Sequence, residues 1–422
     1  MSVHLPRPVA LLVATVVAGA GLTLAAAPAA SASAPAPAVS HAAALAQPDQ
    51  DPFYSVPAHL GATRDGAVLR SRRLPADALA VPSPAAVWQL LYKTRDNAGK
   101  PTATVATLLV PTARWTGPGA RPLVSYQVPE DGLSTVCAPS YVQRAGAEVA
   151  AVSAAQVQFD RQRVADAVSH GWAVVVPDYE GPGSQFLGAN AAGYGVLDGI
   201  RAARSFAPAH VDRKAPLGLW GYSGGGFATT AAAKKQAAYA PELRISGIAA
   251  GGVISDLNRS LQAVSGGALS SYLPFAIASV RNAYPQANVD QYVNASGKSY
   301  ADAVSHTCLG TAVVTGPHNV SLASLEAQPG SLTAGPFHDF LHSASPVGYA
   351  GVPTAPVYMY HGTADELIPV DGARELVAQY RAAGVQVRFV EDAGQNHQGE
   401  QQNGIAGAVA FLDERFAAGA HR

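Results

Sequence analysis

Gly221-Tyr222-Ser223-Gly224-Gly225 stands between a short apolar run, residues 217–220, and an Ala-rich stretch of helical composition, residues 226–239. A serine hydroxyl held on a sharp strand-to-helix turn is set up to attack a carbonyl carbon. Such a turn crowds the residues two before and two after the serine, so Gly at 221 and 225 removes side chains that would collide. The helix that follows presents its N-terminus to negative charge developing nearby. In a chain with 41 glycines the bare pattern is also an ordinary turn. The strand before it and the helix after it make the nucleophile reading the stronger one.

A serine hydroxyl needs a base, and the base needs an orienting acid. For a serine on this kind of turn the acid and then the histidine follow it in the chain, after the next-to-last and last strands. The apolar run 356–360 leads into His361-Gly362-Thr363-Ala364-Asp365-Glu366, which offers Asp365 as the acid. Its neighbour Glu366 would point elsewhere, as a solvated charge or one at a helix N-terminus. The run 385–390 leads into Glu391-Asp392-Ala393-Gly394-Gln395-Asn396-His397. Of 12 histidines only His397 follows the serine and stands on the loop just after the last strand; His421 lies at the terminus, and His361 comes one loop too early and reads as structural. The negative oxygen of a tetrahedral intermediate needs backbone donors. One expected donor is the N–H of Gly224; the other comes from the loop Pro129-Glu130-Asp131-Gly132-Leu133, through Asp131 or a near neighbour.

These groups need a scaffold that brings strand ends together. Residues 87–94 and 104–110 flank a turn at Asp96-Asn97-Ala98-Gly99 and read as a hairpin. Beyond it, apolar runs at 123–128, 172–176, 217–220, 245–253, 356–360 and 385–390 suit strands buried on both faces. Helical stretches at 157–170, 191–206, 226–239, 372–383 and 403–416 lie between or after them. This alternation predicts an α/β fold, a mostly parallel central sheet covered by helices on both faces. Residues 256–349 break the rhythm without a clear strand, and a structureless loop of that length is improbable. They read as an inserted helical cap, with Leu273, Phe275 and Ile277 forming either its core or the wall of an acyl tunnel.

The charge balance, 28 Lys+Arg against 29 Asp+Glu, argues against a nucleic-acid partner. Two cysteines exclude a disulfide-dense scaffold and a Cys-based metal cluster, and no cofactor is implied. Only 14% of residues are charged. Part of that deficit lies at the N-terminus, where Arg7, an uncharged apolar run over 9–27 and Ala-x-Ala sites read as an export signal over 1–32. An Ala/Pro-rich linker, 33–50, precedes a globular region over 51–420. Stable membrane insertion is not expected, and export would permit Cys137 and Cys308 to pair.

With the elbow, Ser125-Tyr126-Gln127, Asp131-Gly132, Cys137-Ala138-Pro139-Ser140-Tyr141 and Pro177-Asp178-Tyr179-Glu180-Gly181-Pro182, the chain resembles the secretory lipase family of the α/β-hydrolase superfamily, in the manner of its bacterial members. The resemblance implies an α/β-hydrolase with a helical cap that cleaves carboxylic esters, often long-chain lipids at a lipid–water interface. It implies catalytic Ser223, Asp365 and His397, an oxyanion hole shared by Asp131 and Gly224, and a Cys137–Cys308 bridge tying the oxyanion loop to the cap. Asp178, Tyr179 and Glu180 read as structural support beside the elbow. The function expected is that of a secreted triacylglycerol lipase. A short-chain carboxylesterase or polyester hydrolase shares every one of these groups. A peptidase or a non-catalytic binding protein on the same fold fits less well.

Overall fold

The computed structural model describes residues 45–79 and 84–419. The expected signal, 1–32, and most of the expected linker lie outside the described residues. The strands are β1 (Val68–Leu74), β2 (Ala85–Arg95), β3 (Pro101–Pro111), β4 (Leu123–Gln127), β5 (Ala173–Pro177), β6 (Leu217–Tyr222), β7 (Gly247–Gly251), β8 (Val357–Gly362) and β9 (Val387–Asp392). Before the cap run α1 (Pro139–Val142), α2 (Ala151–Ser169), α3 (Ala189–Ser205) and α4 (Gly224–Tyr239). Between β7 and β8 lie α5 (Leu257–Val264), α6 (Tyr272–Ala283), α7 (Ala295–Val304), α8 (Leu309–Thr315), α9 (Leu322–Leu325) and α10 (Gly335–Ala344). After β8 come α11 (Val370–Ala382), α12 (His397–Asn403) and α13 (Ile405–Gly419).

All nine strands join one sheet in the order β1-β2-β3-β5-β4-β6-β7-β8-β9. The first three and the β3–β5 pair are antiparallel, and every pair from β5 to β9 is parallel. The expected hairpin is present, with Ala85 opposite Pro111 and Arg95 opposite Pro101. Because side chains alternate along a strand, β4 sends Leu123 into one core and Val124 and Tyr126 into the other. The first core is closed by α3, α4 and α11, and the second by α2 and α13. Burial on both faces explains why the parallel strands read as continuous apolar runs. Strand β1 was not expected: its sequence Val-Leu-Arg-Ser-Arg-Arg-Leu carries an edge strand's charges. Arg72 there reaches Asp51 at 2.6 Å.

The long interval between β7 and β8 is helical, as its length demanded. Its helices share one hydrophobic cluster with Leu133, Phe186, Leu187, Phe227 and Ile368, which belong to the loops and helix at the carboxyl ends of the strands. Leu273 and Ile277 are buried in that cluster.

The final helical stretch, expected over 403–416, is α13, and the short helix before it, α12, was not expected. α12 stops at Asn403 and α13 begins at Ile405, with Gly404 between them. A Cβ at 404 would lie 2.0 Å from the Tyr360 ring, so packing against β8 admits only glycine. Gly404→Ala is expected to lower stability by about 1–3 kcal/mol through overpacking. A shift of the urea midpoint at constant m-value would register it.

Candidate active site

Ser223 sits between the end of β6 and the start of α4, at φ 56° and ψ −123°. An L-residue is rarely found there, and the strain is held by the surroundings. The glycines make the turn possible. A Cβ at Gly221 would stand 2.3 Å from the Gly225 carbonyl oxygen, and one at Gly225 would stand 2.0 Å from that of Gln127. Only hydrogen fits at either place.

His397 is the first residue of α12, just beyond β9. Its Nε2 lies 3.0 Å from Ser223 Oγ and its Nδ1 2.7 Å from Asp365 Oδ2. The ring is further fixed from its backbone: the carbonyl accepts from Tyr222 Oη at 2.7 Å and the N–H donates to Glu366 Oε2 at 3.1 Å. Glu366 is exposed, as a solvated charge would be, but it anchors the histidine rather than pointing away.

Asp365 lies after β8, its Oδ1 accepting from the N–H groups of Leu367 and Ile368. Burial would push its carboxyl up, but hydrogen bonds and charge from His361 and His397 outweigh that and hold it well below the ordinary carboxylate range. His361 Nε2 stands 3.4 Å from Asp365 Oδ2 and donates to the Ile368 carbonyl at 2.8 Å. It braces the acid turn, as its position in the sequence indicated. An ionised acid, an oriented imidazole and a hydroxyl in line can move a proton off the serine as it attacks.

Asp131 follows β4 at φ 40°, another left-handed position. Its carboxyl packs on Gly224, where a Cβ would stand 1.8 Å from Oδ1. That oxygen is buried and has no hydrogen-bond partner among the described residues. Burial pushes this carboxyl up to about 7, against the lowering charge of His397. The loop is held from below: Gly132 N donates to Glu180 Oε2, and Glu180 N to Glu130 Oε2. Asp178 accepts from the N–H and hydroxyl of Ser140. Burial, and for Glu130 and Glu180 also neighbouring carboxylates, raises all three acids.

The same loop is stitched to the cap. Leu309 N donates to the Asp131 carbonyl and Leu133 N to the Thr307 carbonyl, both at 2.9 Å, and Cys137 is bridged to Cys308. Ser223 and His397 open into a cavity of about 740 Å³. Its cap side is apolar, with Leu257, Leu261, Val264, Phe275 and Val313. Of the three apolar residues singled out in the cap sequence, Phe275 reaches the cavity and the other two do not. No helix among the described residues is long and apolar enough to cross a membrane, and no group of described residues is arranged to hold a metal ion.

A mostly parallel sheet that ends on a strained serine, hydrogen-bonded to a histidine beyond the last strand, defines an α/β-hydrolase. The model of the family described as secretory lipase matches residues 147–421. Lipase 10 of Candida albicans is 32% identical over 390 residues, spanning 88% of this chain and 82% of its own. A probable inactive lipase of Mycobacterium tuberculosis is 32% identical over 373 residues with the same coverage. The X-ray structure of Candida antarctica lipase A in its closed state superposes with a TM-score of 0.80 at 27% identity, over 89% of this chain and 88% of that one. The chain belongs to the secretory lipase family, and it is a carboxylic ester hydrolase.

Proposed function

We propose that the protein is an exported triacylglycerol lipase working through an acyl-enzyme on Ser223. His397 takes the serine proton and later returns it to the leaving alcohol, while Asp365 stabilises the imidazolium. The observation that carries the lipid reading is the apolar cap wall of the cavity into which the serine opens. A cavity of this size has room for an acyl chain along its apolar cap side. Export is supported by the N-terminal sequence and by the Cys137–Cys308 bridge, which persists in oxidising compartments. The test is a panel of tributyrin, trioleate and p-nitrophenyl esters of rising chain length. Turnover that rises into long chains and includes trioleate is expected; activity that dies beyond butyrate would make the enzyme a short-chain carboxylesterase.

The oxyanion site draws on the Gly224 N–H and Asp131. Because burial moves the Asp131 carboxyl up to about 7, below that pH it is a neutral O–H donor against Gly224. Above it, the anion repels the developing oxyanion. Asparagine keeps a donor of the same shape and cannot ionise. The ratio of kcat/KM for Asp131→Asn over wild type is therefore expected to climb about tenfold between pH 6 and 8.5. A ratio that stays flat across that range would remove the carboxyl from the oxyanion site.

A further inference from the structure

One part of the cavity wall has a different chemistry. A groove of about 380 Å³ runs between α2 and α12, and it shares Gln156, Gln398 and Gln401 with the main cavity. Gln158, Gln162 and Gln402 complete a wall of six glutamines, with the Phe159 ring among them. Gln401 follows His397 by one helical turn on α12, so the two share a face of that helix. The groove therefore opens on the histidine's side of the serine. That side is fixed by mechanism, because the histidine must reach the departing oxygen to return the proton.

Two buried groups of the main cavity, beside the groove rather than in it, point to a ligand where the two meet. Gln143 is 1% exposed and lines the cavity, and its Nε2 has no hydrogen-bond partner among the described residues. Asp160, equally buried, holds Gln156 Nε2 at 2.8 Å and Tyr126 Oη at 3.2 Å. With its N–H engaged, Gln156 has its carbonyl oxygen left to accept. Primary amides offer a donor and an acceptor side by side, which matches hydroxyls that do both. An anionic head group finds no such match. Among the described residues lining the main cavity none is Lys or Arg. Arg163 in the groove is paired to Asp166 at 3.0 Å and lies over Phe159.

We propose that this glutamine-lined groove is the leaving-group subsite and that it selects esters of uncharged polyhydroxylated alcohols, such as partial glycerides or sugar monoesters. The inference rests on the acyl-enzyme reading above: the Ser223–acyl bond forms, the acyl–oxygen bond breaks, and the alcohol takes its proton from His397 and leaves through the groove.

The test holds the acyl chain constant and varies the alcohol: ethyl decanoate, 1-monodecanoylglycerol, sucrose monodecanoate and decanoyl-lysophosphatidylcholine, with wild type, Gln156→Leu and Gln401→Leu. Wild type is expected to favour the two polyol esters over the ethyl ester by about tenfold in kcat/KM, and each Leu variant to cut that ratio by about fivefold. A wild-type ratio at or below one overturns the proposal, whatever the variants do. So does a ratio that both variants preserve, or a preference for the phosphocholine ester. If no ester is turned over above the Ser223→Ala background, the hydrolytic reading fails first, and that result is distinct from hydrolysis without preference.

Discussion

Ser223→Ala is expected to lower kcat/KM for p-nitrophenyl butyrate by about 10⁴- to 10⁶-fold while leaving the thermal midpoint within a degree or two of wild type. The loss is large because in the proposed mechanism Oγ is the attacking atom, and it lies 3.0 Å from His397 Nε2. Stability is spared because the serine side chain takes no part in either core and its only described side-chain hydrogen bond is to that histidine. Adding His397→Ala to Ser223→Ala should cost little more, since the two act as a unit and their losses do not sum. Residual turnover in Ser223→Ala above about one part in a hundred of wild type would deny the serine its role. The measurement has weight here because a relative of equal similarity is named a probable inactive lipase.

Removing the Cys137–Cys308 bridge is expected to be the largest change to stability. The bridge spans 171 residues of chain. Constraining an unfolded loop of that length is worth about 5 kcal/mol in the chain-entropy model. A paired Cys137→Ser, Cys308→Ser variant should show a urea midpoint lower by that energy divided by the m-value. It should also lose activity at temperatures where it is still folded. Asp131 stands in the segment that the bridge, the Leu309–Asp131 bond and the Leu133–Thr307 bond hold together. A variant as stable and as active as wild type would show that the two backbone bonds hold the loop unaided.

The strongly patterned parts of the molecule were legible from the sequence. Doubly buried strands announce themselves as apolar runs, and the two elbow glycines mark a turn that tolerates no side chain. His397 and Asp365 could be chosen by chain order and by their places just after the last two strands, and the structure puts both within hydrogen-bonding distance of their expected partners. What stayed hidden depends on contacts distant in sequence. The charges of β1 disguise a strand whose inward face is set by its pairing with β2. Gly404 looks like any helical glycine until Tyr360 is seen against it. Glu366 reads as a solvated charge because nothing local shows that the backbone of residue 397 comes to meet it. The Asp131 carboxyl, expected to matter through its backbone, gains a second meaning only once its unpartnered oxygen is found on Gly224. The glutamines of α2 and α12 are unremarkable in sequence, being some 240 residues apart.

The stitching of loop to cap also sets what can be exchanged between relatives. Three ties join residues 131–137 to residues 307–309, two through the backbone and one through sulfur. A chimaera that swaps only the stretch between β7 and β8 would therefore sever the support of the very residue that packs on Gly224. The inheritable unit of substrate choice is discontinuous: the cap together with the loop after β4, two segments that must be transplanted as one.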